Sequence, residues 1–385
     1  MKKYQNDKPG VIILEGHLQG LSNLRSLGEL GIPAFVVDTT RCVAQYSRFC
    51  TKHFRCPPFQ SPDFVPFLIQ LARQEGLKGW LLMPSNDHIV EQLSSHHDEL
   101  SAYYCMAVPN TTTLETIVDK WQLYIMASEI GTPTPHTYIA ATLGQAQQLH
   151  YPVIVKGRCG LSFYKHFHCK AMVATNPKEL AGLTANSAYP DYLVQEQVSN
   201  AKNEVLSFTC FAIDGVIKSY WVGTKLREHP PKYGTATLAQ SIEDPGLLQL
   251  SMPLIDKLNY TGICEIEFML DDHDGQYKLI EINPRTWLWV GLARKCGIDF
   301  AKMLYRHLAG IPQQFPTDYT VGTKWINTMT DLPYSILSIL KGHLTIADYF
   351  KSLQGKKVHA AWSTHDPLPA IMLLLLTPTI LKHRR

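Results

Sequence analysis

Residues 264–284, CEIEFMLDDHDGQYKLIEINP, are two runs of alternating polar and apolar residues flanking Asp274-Gly275. Such a pattern calls for an antiparallel hairpin with one polar and one apolar face. Alternation puts Glu265 and Glu267 on one face and Ile266 and Phe268 on the other. On the return strand, Glu281 and Asn283 point away from Ile280 and Ile282. A turn centred on Asp274 sets Glu267 directly across from Glu281, and two facing carboxylates destabilise a strand pair. A divalent cation reverses that sign. Glu267, Glu281 and Asn283 form a hard oxygen set of the kind that suits Mg²⁺ or Mn²⁺; without a cation the hairpin is simply acidic and solvent-facing. Arg285, just beyond Pro284, is placed to clamp a phosphate or carboxylate with its planar fork.

Elsewhere the chain reads as mixed α/β. Residues 10–38 give an apolar strand, a glycine turn, a helix with Leu21, Leu24 and Leu27 at helical spacing that stops at Gly31, and a second apolar strand ending at Asp38. This is a βαβ unit of a parallel sheet. Its turn glycines, Gly16 and Gly20, are spaced GxxxG and not GxGxxG, which argues against a dinucleotide site. A strand at Trp80–Met83 precedes a helix starting at Asn86 or Asp87. Residues 111–131 read as one helix capped by Thr112 or Thr113, and the Pro-rich stretch 132–135 marks a domain boundary. Strands then dominate: YPVIVKG (151–157), DYLVQEQV (191–198), and a hairpin about Asp214-Gly215, a strong turn dipeptide. Residues 291–309 and 330–355 read as helical. In KLREHPP (225–231), Lys225 and Arg227, two apart on a strand, are expected to share a face.

Composition narrows the classes. A length of 385 residues suggests two or three domains, and 45% hydrophobic with 18% charged residues is globular. A net charge of +3 provides no general field for nucleic acid. Nine Cys without a CxxC pair argue against zinc ribbons, thioredoxin-type redox motifs and a closed disulfide framework, so reduced thiols and a cytoplasmic location are expected. The apolar run Val11–Leu14 is too short for a secretory signal, and no run of 18 apolar residues exists to span a membrane.

EIEF followed by EINPR is similar to the metal-binding signature of the ATP-grasp superfamily. The glycine-turn α/β start, Asp119-Lys120, the strand lysine of YPVIVKG, VQEQV and KLREHPP fall in the order that fold has them, over roughly residues 10–310. The chain most resembles predicted carboxylate–amine ligases of the D-aspartate ligase type. The resemblance implies an N-terminal parallel α/β domain on the substrate side (1–132), a two-subdomain α+β ATP-grasp fold (133–198 and 199–310) and a mainly helical C-terminal extension (311–385). It implies ATP and Mg²⁺, small carboxylic acid and amine substrates, and amide formation through an acyl phosphate with release of ADP. Lys120 and Lys156 would meet the ATP phosphates. Glu196 and Val198 would bind adenine through their backbone and Gln195 through its side chain, and Glu204 or Asn203 would meet the ribose. Lys225, Arg227 and Arg285 would neutralise the transferring phosphoryl group or hold the acyl substrate. The family's glycine-rich loop is replaced by GRCGLSFYKHFHCK (157–170), where Arg158 or Lys170 would take over its charge contacts. Two other readings share these residues: a degenerate module that binds nucleotide without catalysis, and a bicarbonate-using carboxylase or carbamoyl-phosphate-type enzyme.

Four further features carry two readings each. Trp287 and Trp289 would wall the acyl pocket or pack in the core, and His17 would face a second substrate or solvent. Cys159 has no assured activating group to make it a nucleophile. The apolar stretch Ala370–Thr377, followed by Lys382, His383, Arg384 and Arg385, would pack as a terminal helix or lie on a membrane surface.

Overall fold

The computed structural model describes residues 9–143, 149–185, 189, 191–200, 204–231 and 234–383. Asn203, Arg384 and Arg385 lie outside them. Three sheets follow one another along the chain.

The first is parallel: β1 (Val11–Leu14), β2 (Ala34–Asp38), β3 (Cys50–Arg55), β4 (Trp80–Pro84) and β5 (Tyr104–Cys105), in the order β3-β2-β1-β4-β5. β1, β2 and β4 are buried on both faces, as covered parallel strands must be. The glycines between β1 and the Leu18–Glu29 helix are packing positions. A Cβ on Gly16 would meet the Cys42 sulfur at 2.4 Å, and one on Gly20 the Glu15 carbonyl at 2.2 Å. The Gly16 N–H donates to Asp38 Oδ2 at 2.8 Å. The turn that imitates a dinucleotide site is thus filled by the protein itself.

The second sheet has β6 (Thr137–Ile139), β7 (Val153–Gly157), β8 (Met172–Ala174) and β9 (Tyr192–Glu196), in the order β6-β9-β7-β8. The third runs β14-β13-β10-β11-β12-β15-β16, from β10 (Val205–Ile213), β11 (Val216–His229), β12 (Thr235–Ile242), β13 (Gly262–Leu270), β14 (Tyr277–Asn283), β15 (Lys324–Ile326) and β16 (Lys357–His359). Both expected hairpins are present. Ile213 pairs with Val216 around Asp214 and Gly215, which have φ of 49° and 76°, the two left-handed residues of a type I′ turn. The region after 310 is mainly helical, yet its β15 and β16 complete the third sheet, so the sheet runs on past the expected boundary at 310.

Residues 111–131 form two helices, not one. Asn110, and not Thr112 or Thr113, caps Thr111–Val118. Asp119 then caps a second helix, Lys120–Glu129, by accepting from the Trp121 and Gln122 N–H groups. Trp287 and Trp289 are each 2% exposed and pack with Trp221 at ring separations of 6.0 and 5.3 Å, which settles them as core.

Candidate active site

The hairpin β13–β14 pairs Glu267 with Glu281 and Glu265 with Asn283. Each of the facing carboxylates is paired with a lysine. Lys225 Nζ, on β11, reaches across β10 to Glu267 Oε1 at 2.9 Å. The lane is open because Ser207 stands opposite Glu267 on β10, and Gly223 opposite Ser207 on β11. Lys120 Nζ reaches Glu281 Oε2 at 3.2 Å. Burial alone would raise the Glu281 carboxyl, but Lys120, Lys170 and Lys225 outweigh it and hold it well below the usual range. Lys225 is pushed up, its own burial outweighed by Glu267 and Glu265.

Glu265 is 4% exposed. Its Oε2 accepts from Asn283 Nδ2 at 3.2 Å, while Oε1 is buried with no hydrogen-bond partner among the described residues. Burial and the neighbouring Glu267 push its carboxyl up to about 8, so it holds its proton at neutral pH. Alternation already placed Glu265 beside Glu267; what the sequence did not disclose is its burial.

Arg285 is held bidentately by Asp87, Nε to Oδ1 at 2.6 Å and Nη2 to Oδ2 at 2.9 Å, and touches Asn283 Oδ1 at 3.3 Å. Asp87 opens the Asp87–Ser95 helix just after β4, capped by Asn86. Sequence reasoning missed Asp87 as a site residue. Its available signal was position: a carboxylate just past the carboxyl end of a parallel strand, where ligand crevices form in such sheets.

Lys120 stands first in its helix, its N–H donating to the Arg158 carbonyl at 3.0 Å, and Arg158 pairs with Asp119. The glycine-poor segment after Lys156 is not a loop but a helix, Gly160–Phe167; a Cβ on Gly160 would come within 3.9 Å of Lys120 Nζ. Arg158 is therefore committed to Asp119, and Lys170 is exposed but close enough to act on Glu281. Lys156 Nζ donates to Tyr124 Oη at 3.1 Å and Gln195 Oε1 at 2.9 Å, and Tyr124 in turn donates to the Ile280 carbonyl beside Glu281 at 2.8 Å. One tyrosine thus ties the second sheet to β14.

Lys225 and Arg227 do not share a face. A bulge at Leu226 sets Lys225 opposite Ala239 and Arg227 opposite Leu238, adjacent partners that face opposite ways. Arg227 turns away from the carboxylates to Asp331 (both contacts 2.8 Å), with Tyr349 beneath it at 5.1 Å. Gln195 is buried and also donates to Thr137. The Glu196 N–H is taken by the His136 carbonyl and its carboxylate by the His150 N–H. Val198 is buried, and Glu204 exchanges hydrogen bonds with the Asn200 side chain through its backbone.

Residues 236–313, which contain the hairpin, match the family model of the carbamoyl-phosphate synthase L chain, ATP binding domain. The fold matches the N5-carboxyaminoimidazole synthetase of Staphylococcus aureus complexed with ADP, at TM-score 0.64 and 15% identity over 83% of this chain and 81% of that one. The chain has an ATP-grasp fold. Another ATP-grasp structure, the L-amino acid ligase of Bacillus licheniformis, matches at TM-score 0.61 and 14% identity over 80% of this chain and 76% of that one. In sequence, the chain is 23% identical to the D-aspartate ligase of Enterococcus faecium over 246 residues, 59% of this chain and 58% of that protein. The chain thus spans less than two thirds of that relative.

Proposed function

We propose that the protein joins a carboxylic acid to an amine using ATP, by way of an acyl phosphate, releasing ADP and phosphate. The observation that carries this reading is the charge layout of β13–β14: Glu267, Glu281 and Asn283 on one face, with Lys225, Lys120 and Arg285 around them. Two similar proteins, a D-aspartate ligase and an L-amino acid ligase, agree with it.

The donor set fits Mg²⁺. All its ligand atoms are oxygens, and an oxygen of Glu265 with no hydrogen-bond partner among the described residues is buried beside them. Glu267, Glu281 and Asn283 would hold the ion, which when bound neutralises the terminal phosphates of ATP. Lys120 and Lys156 would bind phosphate oxygens. Lys156 is suited to this because its described partners, Tyr124 and Gln195, are neutral and leave its charge uncompensated. The first N–H groups of the Gly160–Phe167 helix, beside Lys120, would stand in for the glycine-rich loop. Adenine would lie by Gln195, Glu196 and Val198, where the chain passes from the second sheet to the third, and the ribose by Glu204. Arg285, oriented by Asp87, would stabilise charge on the transferring phosphoryl group together with Lys225. Arg227 has no part in this reading, because Asp331 holds it elsewhere.

The acid's carboxylate oxygen attacks the γ-phosphorus and ADP leaves. The amine then attacks the acyl carbon and phosphate leaves. A panel of acids and amines tests this: ADP release should require the acid, and full turnover both partners. ADP release stimulated by bicarbonate alone would instead favour the carboxylase reading.

A further inference from the structure

More than half of the exposed large apolar side chains among the described residues fall between 332 and 375. They concentrate first on a helical hairpin, Thr328–Leu340 and Ile346–Ser352. Leu332, Ile336 and Leu340 recur every fourth residue along one stripe, flanked by Leu337, and Ile346 and Phe350 continue it on the second helix. Leu340, Phe350 and Ile346 are 79%, 64% and 62% exposed. The other side of the hairpin is pinned: Asp331 holds Arg227 of β11, the Tyr349 ring lies under the same guanidinium, and Ser352 accepts from it. The apolar stripe therefore faces outward on a fixed support.

Charge says what covers it. Residues 332–385 contain seven Lys and Arg against two Asp and no Glu, in a chain whose totals are 36 and 33; the remainder of the molecule is net acidic. Lys341 follows Leu340 at the hairpin tip, Lys351 follows Phe350, and Lys356 and Lys357 come just after; all four are exposed. Of the two acids, Asp366 is buried against Arg25, and Asp348 sits on its capping residue Thr345. A second copy docked across a two-fold axis would bring this positive rim against itself. Exposed leucine, isoleucine and phenylalanine rimmed by lysine match an anionic lipid surface, with the apolar stripe at the headgroup–acyl boundary and the ammonium groups among the headgroups. No helix among the described residues is long and apolar enough to cross a membrane, so the contact is peripheral.

We propose that the 328–352 hairpin seats the protein on an anionic membrane surface. The test is co-sedimentation of the full chain with vesicles of phosphatidylcholine and phosphatidylglycerol in equal parts, and with phosphatidylcholine alone. The expected result is binding to the mixed vesicles at least tenfold above the neutral ones, weakening as salt is raised. Leu340→Glu with Phe350→Glu, and separately Lys341→Glu with Lys351→Glu, should each lower that binding at least tenfold while leaving the thermal unfolding midpoint within a few degrees, because all four side chains are exposed. No binding, equal binding to both vesicles, or wild-type binding by both variants would overturn the proposal. So would a dimer in solution dissolved by Leu340→Glu, which would make this face a protein interface.

Discussion

Glu281 is the carboxylate on which three lysines converge, and it faces Glu267 across the hairpin. Glu281→Gln should lower ATP turnover at least 100-fold, about 3 kcal/mol of transition-state stabilisation. It also strands Lys120, but the pair is partly exposed, so the stability loss should be only about 1 kcal/mol. Turnover and a thermal melt on the same sample separate the two effects, and near-wild-type turnover would remove Glu281 from the site. Lys156→Ala should weaken ATP binding at least tenfold by calorimetry and adenosine far less, because the ammonium meets the phosphates and touches the base only through Gln195; equal losses would make it a fold residue. Glu265 gives a pH signature. Its carboxyl titrates near 8 in the folded chain against an ordinary 4.5. Between those values the unfolded chain has released the proton and the folded chain has not, so Glu265 lowers stability progressively from about pH 4.5 to about 8 and no further above. Glu265→Gln should therefore raise the melting temperature more at pH 8 than at pH 5. A gain independent of pH would contradict the buried-carboxyl account.

At the scale of elements, the break between the Thr111–Val118 and Lys120–Glu129 helices is what aims Lys120 at Glu281. Asp119 makes the break by capping the second helix and pairing with Arg158. Asp119→Ala should cost about 1 kcal/mol of stability through the lost cap, and it should weaken ATP binding several-fold by loosening Lys120; stability loss with unchanged ATP affinity would mean that the break is only structural. This break was not legible in the sequence, where TTTLETIVDKWQLYIMASEIG carries continuous helical spacing and Asp119 reads as an ordinary interior acid. Glu267 meets Glu281 through an extra residue at Ile280 that shifts the register set nearer the turn, where Phe268 pairs with Leu279, but the hairpins themselves were legible from their Asp-Gly turns. The bulge at Leu226 was not. One extra residue turns Arg227 to the opposite face before the original register resumes at Glu228, and nothing in KLREHPP signals it, so Arg227, expected beside Lys225, lies with Asp331 instead.

Across the whole molecule, the site is assembled from segments far apart in sequence. Asp87 comes from the parallel first sheet's surroundings, Lys156 and Gln195 from the second sheet, and Glu267, Glu281, Asn283 and Lys225 from the third. The parallel start and the two later hairpins could be read from the alternation of βαβ and hairpin patterns. The Asp87–Arg285 bridge could not, because single-sequence patterns carry no long-range pairing. If that bridge orients Arg285 for phosphoryl transfer, Asp87→Asn should lower turnover by about tenfold or more with little change in ATP affinity; a matching loss of affinity and turnover would make the bridge a general tie between sheets. The reaction itself is tested most directly by supplying an acid substrate whose carboxylate carries oxygen-18. An acyl phosphate requires that one carboxylate oxygen leave with the phosphoryl group, so the released phosphate should carry one labelled oxygen and the nucleotide product should be ADP. Unlabelled phosphate, or AMP as the main product, would contradict the acyl-phosphate account.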